Sequence, residues 1–496
     1  MNKFNEAKIV IIKKKHSDNF TLLNLLTLSH SITHIINSLW TDLREAITGT
    51  EKDFTSEKLG RAIFLLSVPM VLEMAMESIF AIVDIFFVSK LGAETIAIVG
   101  ITESVMTIIY ALGIGIGTAA TAIISRRIGE KDPQHASHAA GQAIITGSFI
   151  SILLAIPAII YYKDILLLMG MDEAAVNEFG NYTLVIMGTN MVIMLLFINN
   201  AIFRSSGDAA ISMKVLAFAN LLNIILDPIL IFGFGPIPAM GITGAAVATS
   251  IGRGLGVIFQ FYMLFRKKHR VGLRLKYLVP EWKSILQLLR LSAGATGQYL
   301  IATSSWILLV RIISLFGSQV VAGYTIAIRI MFFTMMPSWG VSNATATLVG
   351  QNLGAEKPER AEKAVWITGF VNIALLGIIG LVMALIPATF IRLFIDDPLV
   401  IEYGASCLRI LSYGYIAYGL GMVMVNSLNG AGDTVTPTWI NLFCYWILEI
   451  PLAYYLAVSL NLKENGVFIS ILVAEVAMTA SALYFFRKGK WKLRKV

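Results

Sequence analysis

Long apolar stretches alternate with short polar links along the chain from about residue 58 onward. An α-helix needs about 20 residues to cross the roughly 30 Å hydrocarbon layer of a bilayer, and each stretch is long enough. The pattern predicts twelve membrane-spanning helices, six on either side of a basic link. They lie near residues 62–88, 97–124, 139–161, 180–203, 211–234, 243–265, 287–316, 319–346, 364–390, 400–427, 434–458 and 465–486.

Composition strengthens this prediction. Hydrophobic residues make up 56% of the chain and charged residues 14%, which leaves too little polar surface for a soluble domain. The net charge of +8 is concentrated in links and at the C-terminus, so it indicates topology and not nucleic-acid binding. The even-numbered links are the basic ones, which predicts that they and both termini are cytoplasmic. Abundant Lys and Ile without long loops is typical of a prokaryotic protein of the cytoplasmic (inner) membrane.

The chain repeats itself with a constant offset of 225 residues. Three separated loop motifs recur at that distance, which chance would not produce. The matching pairs are Gly92 and Gly317, Gly129 and Gly354, and Gly207 and Gly432. Each copy holds an even number of helices, so the copies are parallel and an axis along the membrane normal relates them.

The predicted fold is therefore an all-α polytopic membrane protein with 12 transmembrane helices in two six-helix bundles related by a pseudo-two-fold axis. The expected divisions are a cytoplasmic amphipathic extension (1–57), the first bundle (58–265), a basic linker (266–286), the second bundle (287–486) and a basic cytoplasmic tail (487–496). The extension has no clean apolar core followed by a cleavage site, so a signal peptide is not expected.

Three carboxylates interrupt the first predicted helix, at Glu73, Glu77 and Asp84. At about 100° per residue they return to nearly one stripe of the helix. A charged residue at bilayer depth costs roughly 2.5 to 3.5 kcal/mol on insertion scales, so such residues usually face a cavity and belong to ion or substrate pathways. A transporter is therefore the first hypothesis.

The fifth predicted helix carries a second polar set. Asn223 and Asp227 are one turn apart on one face, and Pro228 removes a backbone donor, which frees a carbonyl one turn back for water or an ion. Pro69 has the same effect in the first helix. These features predict two polar, locally weakened helices in the first bundle.

The buried carboxylates belong to the first copy, since Asp84 corresponds to Leu309 and Glu103 to Ile328. Two aspartates in one apolar site do not both stay ionised without cost. We therefore expect either a proton or a sodium ion to neutralise Asp84 and Asp227.

Five motifs together resemble the multidrug and toxic compound extrusion (MATE) transporters, over about residues 54–486. They are Val-Asp-Ile-Phe-Phe-Val-Ser-Lys-Leu-Gly (83–92), Phe-Arg-Ser-Ser-Gly-Asp (203–208), Asn-Ile-Ile-Leu-Asp-Pro (223–228), Ala-Thr-Leu-Val-Gly-Gln-Asn-Leu-Gly-Ala (346–355) and Asn-Gly-Ala-Gly-Asp-Thr (429–434). The resemblance implies a V-shaped, cofactor-free antiporter in which proton or sodium entry drives export of cationic amphipathic small molecules. We expect the protein to act as a monomer in membrane lipid.

The resemblance also implies particular residues. In the DinF-like branch of the family, the cation site of the first bundle falls on Asp84, Asn223, Asp227 and Thr249, where Na⁺ could bind, and Pro69 matches the family's bending proline. NorM-like members also use acidic residues in the seventh and tenth helices, and this chain has none after Glu402 in the tenth. This difference favours a DinF-like, first-bundle mechanism with either coupling ion.

Further carboxylates are not explained by the resemblance. Glu77, Glu73 and Glu103 could attract cationic substrates or relay protons, and the alternative is that they hydrogen-bond between helices. Glu449, before Pro451 in the eleventh helix, is the one buried acid expected in the second bundle.

Two other classes of function compete with drug export. A flippase or exporter of a lipid-linked or metabolite substrate shares the helical plan, but a pyrophosphate substrate would favour a basic cavity. An intramembrane enzyme is not expected, because the predicted helices contain no His and the chain has no Gly-x-Ser-x-Gly or His-Glu-x-x-His motif.

Overall fold

The computed structural model describes residues 37–49, 52–266 and 270–496, and twelve long helical segments run through it. They are α1 (Leu59–Ser89), α2 (Ala93–Gly129), α3 (Pro133–Leu168), α4 (Asn181–Gly188 and Asn190–Ser206), α5 (Ala209–Phe232), α6 (Ile242–Phe265), α7 (Trp282–Ile313), α8 (Ser318–Gly354), α9 (Pro358–Leu385), α10 (Pro398–Ser412 and Tyr415–Gly430), α11 (Val435–Ser459) and α12 (Lys463–Arg487). Ten are long and apolar enough to cross a membrane, and the bent α10 makes an eleventh. The remaining segment, α1, is 31 residues long and carries the three carboxylates. The predicted all-α, two-bundle architecture is confirmed.

Two helices of the second bundle are less regular than their apolar patterns predicted. The two halves of α10 meet at an angle of 54° near Gly414. In α11, α-helical and π-helical turns alternate, with π-helix at Leu442–Glu449 and Tyr455–Ser459. Pro451 lies between these π-helical segments and donates no backbone hydrogen bond. A hydropathy pattern does not distinguish α-helical from π-helical hydrogen bonding, and it does not show where a helix bends.

The backbone of the loops repeats with the same 225-residue offset as the sequence. Three pairs of equivalent residues share a backbone conformation with positive φ, which residues other than glycine rarely adopt. They are Gly92 and Gly317 (φ 115° and 108°), Gly207 and Gly432 (98° and 86°), and Lys131 and Glu356 (59° and 57°). The non-glycine pair is informative, because a shared strained position indicates that both copies make the same turn.

The two bundles touch near the ends of α2 and α8 through reciprocal contacts. A Cβ atom placed on Gly129 would lie 2.0 Å from the carbonyl oxygen of Gln351, and one placed on Gly354 would lie 2.1 Å from the carbonyl oxygen of Arg126. Residues 126 and 351, like 129 and 354, are 225 apart, so each contact is the image of the other. An isologous contact of this kind places the pseudo-two-fold axis between α2 and α8.

We expect Gly129→Ala to lower the thermal stability of the protein, because its methyl group has no space beside Gln351. Overpacking costs typically about 1 to 3 kcal/mol. Gly100→Ala in the same helix is the matched control, since no atom of the described residues lies within 4 Å of the Cβ position there. Removing a helical glycine should stabilise the control by up to about 1 kcal/mol. Equal melting temperatures for the two variants in detergent would contradict the close contact.

The two bundles separate from each other along α1 and α8, in the direction away from the contact of Gly129 and Gly354. Ser78 of α1 still contacts Met336 of α8. Further along, Ile82 and Phe86 of α1 and Phe332 of α8 are exposed. A cleft between the bundles therefore opens away from the basic links.

The segment before α1 is helical over residues 37–48 and is held against the end of α1. Arg61 forms ion pairs with Asp42 at 2.8 Å and with Glu45 at 2.6 Å. Phe54 is fully buried, and its carbonyl accepts a hydrogen bond from Arg360 of α9 at 3.2 Å. Residues 1–36 of the predicted amphipathic extension lie outside the described residues.

Candidate functional site

The polar residues of α5 and α6 form one buried group. The side-chain amide of Asn223 donates to Asp227 Oδ1 at 3.2 Å and lies 3.2 Å from Thr249 Oγ1. Asp227 is fully buried, and Asn223 is 1% exposed. Asp227 Oδ2 and Asn223 Oδ1 have no hydrogen-bond partner among the described residues. These two unsatisfied oxygens, with the Thr249 hydroxyl, could bind a proton or a small cation.

Small residues on α6 bring this group together. A Cβ on Gly252 would lie 2.9 Å from the carbonyl oxygen of Ala219, and one on Gly244 would lie 2.4 Å from that of Leu230. Glycine at these positions lets the backbones of α5 and α6 approach closely. The tight approach is what allows the short side chain of Thr249 to reach Asn223.

Asp84 of α1 lies beside this group. The helices α1 and α5 run parallel, and the side-chain amide of Asn220 on α5 donates a hydrogen bond to the carbonyl of Met76 on α1 at 2.8 Å. About two helical turns further along both helices stand Asp84 and Asp227, which interact electrostatically. Asp84 is half-buried and makes no hydrogen bond among the residues that the structure describes. The four residues that the resemblance implied are thus brought into one region.

Arg253 of α6 occupies the same region and was missed by the sequence analysis. Its guanidinium forms an ion pair with Glu77 at 2.9 Å and lies 4.6 Å from the centre of the Phe80 ring. It also interacts electrostatically with Glu103 and Asp84. The side chain of Arg253 is only 8% exposed. The available signal was an arginine between two glycines in an apolar run.

Glu103 of α2 faces the cleft between the bundles. Its side chain is exposed, and the hydroxyl of Tyr110, two turns along α2, donates to Glu103 Oε2 at 3.1 Å. Tyr299 of α7, across the cleft, interacts electrostatically with Glu103. Glu103 therefore connects the acidic region to the space between the bundles.

Glu73 lies apart from the site, in a structural network. It is 2% exposed, accepts a hydrogen bond from Asn200 at 3.1 Å and pairs with Arg204 at 2.9 Å. The carbonyl of Arg204 in turn accepts a hydrogen bond from Thr347 of the second bundle at 3.3 Å. The alternative role considered for Glu73, an interhelical contact, fits this geometry better than a substrate role.

Replacing Glu73 with Gln should destabilise the fold, because Arg204 would keep its charge without a partner. Breaking a buried ion pair costs about 3 to 5 kcal/mol of the free energy of unfolding. Because the side chain of Arg204 is 17% exposed, we expect the loss to lie at or below the lower end of this range. Thermal unfolding beside Glu94→Gln, an exposed glutamate of α2, measures this. A melting temperature equal to that of the control would show that the pair is not structural.

The two prolines lie inside continuous helices. Pro69 is buried in α1, and Pro228 follows Asp227 in α5. Directly after Pro69 the backbone of α1 meets α8, where a Cβ on Gly340 would lie 2.7 Å from the nitrogen of Val71. A change in the bend of α1 at Pro69 would therefore act directly on the contact between the bundles.

Two six-helix bundles, a cleft between them and a buried acidic region beside the cleft define a multi-pass membrane transporter. Comparison with known proteins identifies the particular family. The MatE family model matches the chain twice, at residues 69–229 and 295–455, so the chain belongs to the MatE family.

Two relatives and one solved structure illustrate what this chain is similar to. The probable multidrug resistance protein NorM of Thermotoga maritima is 26% identical over 444 residues, covering 88% of this chain and 94% of that protein. The FAD transporter of Shewanella oneidensis is 25% identical over 399 residues, covering 80% and 88%. A crystal structure of MATE in complex with MaL6 superposes with a TM-score of 0.83 at 25% identity, covering 89% and 99%. The DinF-like branch assignment stays a prediction.

Proposed function

We propose that this protein is a secondary active antiporter that exports cationic amphipathic compounds in exchange for protons or sodium ions. It works in the cytoplasmic membrane of a prokaryote as a monomer, with both termini cytoplasmic and no resident cofactor. The similarity to the probable multidrug resistance protein of Thermotoga maritima supports export of drugs. The acidic region of the first bundle supports the ion coupling.

The observation that carries the proposal is the unsatisfied oxygen set around Asp227. Asp227 is a fully buried carboxylate with one oxygen that has no partner among the described residues, and beside a second aspartate it needs a positive charge to neutralise it. Arg253 interacts with Asp84, but its ion pair is with Glu77. A proton or sodium ion at Asp84, Asn223, Asp227 and Thr249 supplies the missing charge.

Ion binding in the first bundle changes the contact between the two bundles through a movement of α1. Neutralising Asp84 removes its repulsion from Asp227 and its attraction to Arg253, so the preferred position of α1 changes. Because α1 contacts Gly340 of α8 immediately after Pro69, bending at Pro69 alters how the bundles meet. Ion and drug then favour opposite states of the cleft, and their binding free energies are coupled through that difference.

Glu103 gives the cleft its selectivity for cations. Glu77 is neutralised by Arg253, whereas the exposed carboxylate of Glu103 has only the hydroxyl of Tyr110 as a hydrogen-bond partner in the described chain. A cationic amphipathic molecule in the cleft meets this charge on one side and apolar side chains such as Phe332 on the other. Glu77 and Arg253 form the boundary between the drug-facing and ion-facing parts.

A second candidate is export of an anionic metabolite or lipid-linked substrate. Its support is Arg253, a buried cation close to the cleft, together with the similarity to the FAD transporter. The acids around Arg253 favour the cationic substrate, because Glu77, Glu103 and Asp84 outnumber it.

Ethidium efflux from reconstituted vesicles tests the proposal, with a proton gradient and a sodium gradient imposed separately. We expect one gradient to drive efflux, and an ionophore that collapses this gradient to stop it. Flavin adenine dinucleotide is offered in parallel as the anionic probe. Transport of the flavin without transport of ethidium by folded protein would replace drug export with the second candidate.

A further inference from the structure

A second pair of buried carboxylates lies in the other bundle. Glu449 of α11 is 3% exposed, and Glu475 of α12 has a carboxylate oxygen, Oε2, that is fully buried. The two glutamates interact electrostatically. The position of Glu449 before Pro451 indicates a buried acid in the sequence, whereas no sequence pattern indicates Glu475. Neither carboxylate forms an ion pair with any residue in the described part of the chain.

The surroundings of the pair are built from five helices and leave three polar atoms unsatisfied among the described residues. The hydroxyl of Tyr445 donates to Glu475 Oε1 at 3.2 Å, and Ser305 of α7 lies beside Glu449. The Oε2 atoms of both glutamates have no hydrogen-bond partner within the described residues. Tyr324 of α8 is 2% exposed, its hydroxyl has no hydrogen-bond partner in the described part of the chain, and it interacts electrostatically with Glu449.

The local backbone is unusual at the same place. Glu449 ends the π-helical stretch Leu442–Glu449, which also carries Tyr445. Single π-helical turns inside α-helices are rare and often occur at functional sites. The π register widens the turn, and both Tyr445 and Glu449 belong to the buried side of this stretch.

We propose that Glu449 and Glu475 form a proton-binding site in the second bundle. One proton from the aqueous phase converts one carboxylate into a carboxylic acid, whose O–H can donate to an unsatisfied oxygen, and leaves the other as a charged acceptor. Two bare carboxylates in an apolar bundle are otherwise uncompensated. A proton suits the site, because the Oε2 atom of each glutamate is a buried carboxylate oxygen without a hydrogen-bond partner among the described residues.

Among the residues that the structure describes, the titratable groups that interact with the pair include no cation. On α11 they are Tyr445 and Cys444, on α8 Tyr324, and on α10 Tyr418. Tyrosine hydroxyls and a thiol are uncharged at neutral pH, so a proton on one carboxylate is the charge compensation that these neighbours leave available.

If the antiport proposed above holds, a second proton site would add one proton to each transport cycle. This consequence rests on the proposed function, whereas proton binding itself does not. The site lies on α11 and α12 and is separate from Asp84 and Asp227 of the first bundle. The protein would then bind a proton in the second bundle in addition to the proton or sodium ion of the first.

Infrared difference spectroscopy of purified protein in nanodiscs tests the inference, with pH titrated over about pH 5 to 9. We expect a protonated carboxyl band that is lost in Glu449→Gln and in Glu475→Gln and is retained in Glu402→Gln, an exposed glutamate of the same bundle. Tyr445→Phe should shift the band, because it removes the hydrogen bond to Glu475. If a glutamine variant fails to fold, the shift of the carboxyl band in Tyr445→Phe still tests whether Glu475 belongs to the proton-binding site.

A band that is unchanged in Glu449→Gln, Glu475→Gln and Tyr445→Phe would overturn the inference. Its transport consequence is measured as protons moved per ethidium, which should fall by one in Glu449→Gln/Glu475→Gln. Wild-type protein that shows the carboxyl band but moves no dye would contradict the antiport proposal and leave the proton site intact. Dye export with an unchanged proton count in the double variant would contradict a role for the site in transport.

Discussion

Asp227→Asn should lower gradient-driven ethidium efflux by about 5- to 150-fold, the range that corresponds to a coupling free energy of about 1 to 3 kcal/mol. Asparagine has nearly the same shape, so the packing of α5 against α6 is kept. It carries no charge, however, so neither a proton nor a sodium ion is needed to neutralise the fully buried position. Dye binding should persist while its dependence on the ion gradient disappears.

The measurement uses vesicles with equal amounts of folded protein and either gradient imposed. Asp164→Asn, an exposed aspartate near the end of α3, is the matched control and should behave as the wild type. Asn223→Ala probes the same site without changing its charge, and it should reduce coupling less than Asp227→Asn does. Efflux by Asp227→Asn with the rate and ion dependence of the wild type would refute the first-bundle mechanism.

The geometry around Asp227 shows how far sequence patterns can lead. Asn223 and Asp227 are four residues apart on one helix, and helical periodicity alone predicts their contact. Thr249 comes from the next helix, so its place depended on the family resemblance, and the structure sets it 3.2 Å from Asn223. The apolar stretches and the 225-residue repeat predicted the architecture, because membrane helices must be long, apolar and internally hydrogen-bonded.

What the sequence did not predict depends on long-range pairing or on local backbone register. Arg253 and Glu77 are 176 residues apart, and nothing in either helix alone indicates that they form an ion pair. Glu475 is the one acid of α12 beyond its first turn, which holds Glu464, and only the fold brings Glu475 near Glu449. The bend in α10 and the π-helical turns of α11 leave the mean hydropathy unchanged, so a hydropathy pattern does not reveal them.

The symmetry of the fold and the asymmetry of its chemistry are separate results. The loop conformations and the reciprocal contacts of Gly129 and Gly354 are shared by both bundles. The carboxylates are not, since Asp84 corresponds to Leu309 in the second copy. The two copies of the repeat therefore share their backbone geometry where the bundles meet. They differ in the buried charges inside each bundle.

Arg253→Met should tighten binding of a monovalent cationic dye by about tenfold, equivalent to about 1.4 kcal/mol. The substitution removes the positive charge that faces Asp84 and Glu103 and releases Glu77 from its ion pair. Two unit charges 4 Å apart interact by about 4 kcal/mol at an effective dielectric constant of 20, so a tenfold change is a modest expectation. Methionine fills similar space with an unbranched apolar chain.

Fluorescence anisotropy of ethidium with purified protein in nanodiscs measures the affinity, and thermal unfolding checks the fold. The double variant Glu77→Gln/Arg253→Met is the matched control, because it removes both members of the ion pair and restores the original sum of charges. Its dye affinity should return toward that of the wild type. If Arg253→Met left dye affinity unchanged while abolishing binding of flavin adenine dinucleotide, Arg253 would be the anchor of an anionic substrate. The second candidate function would then account for the same buried arginine better than cation export does.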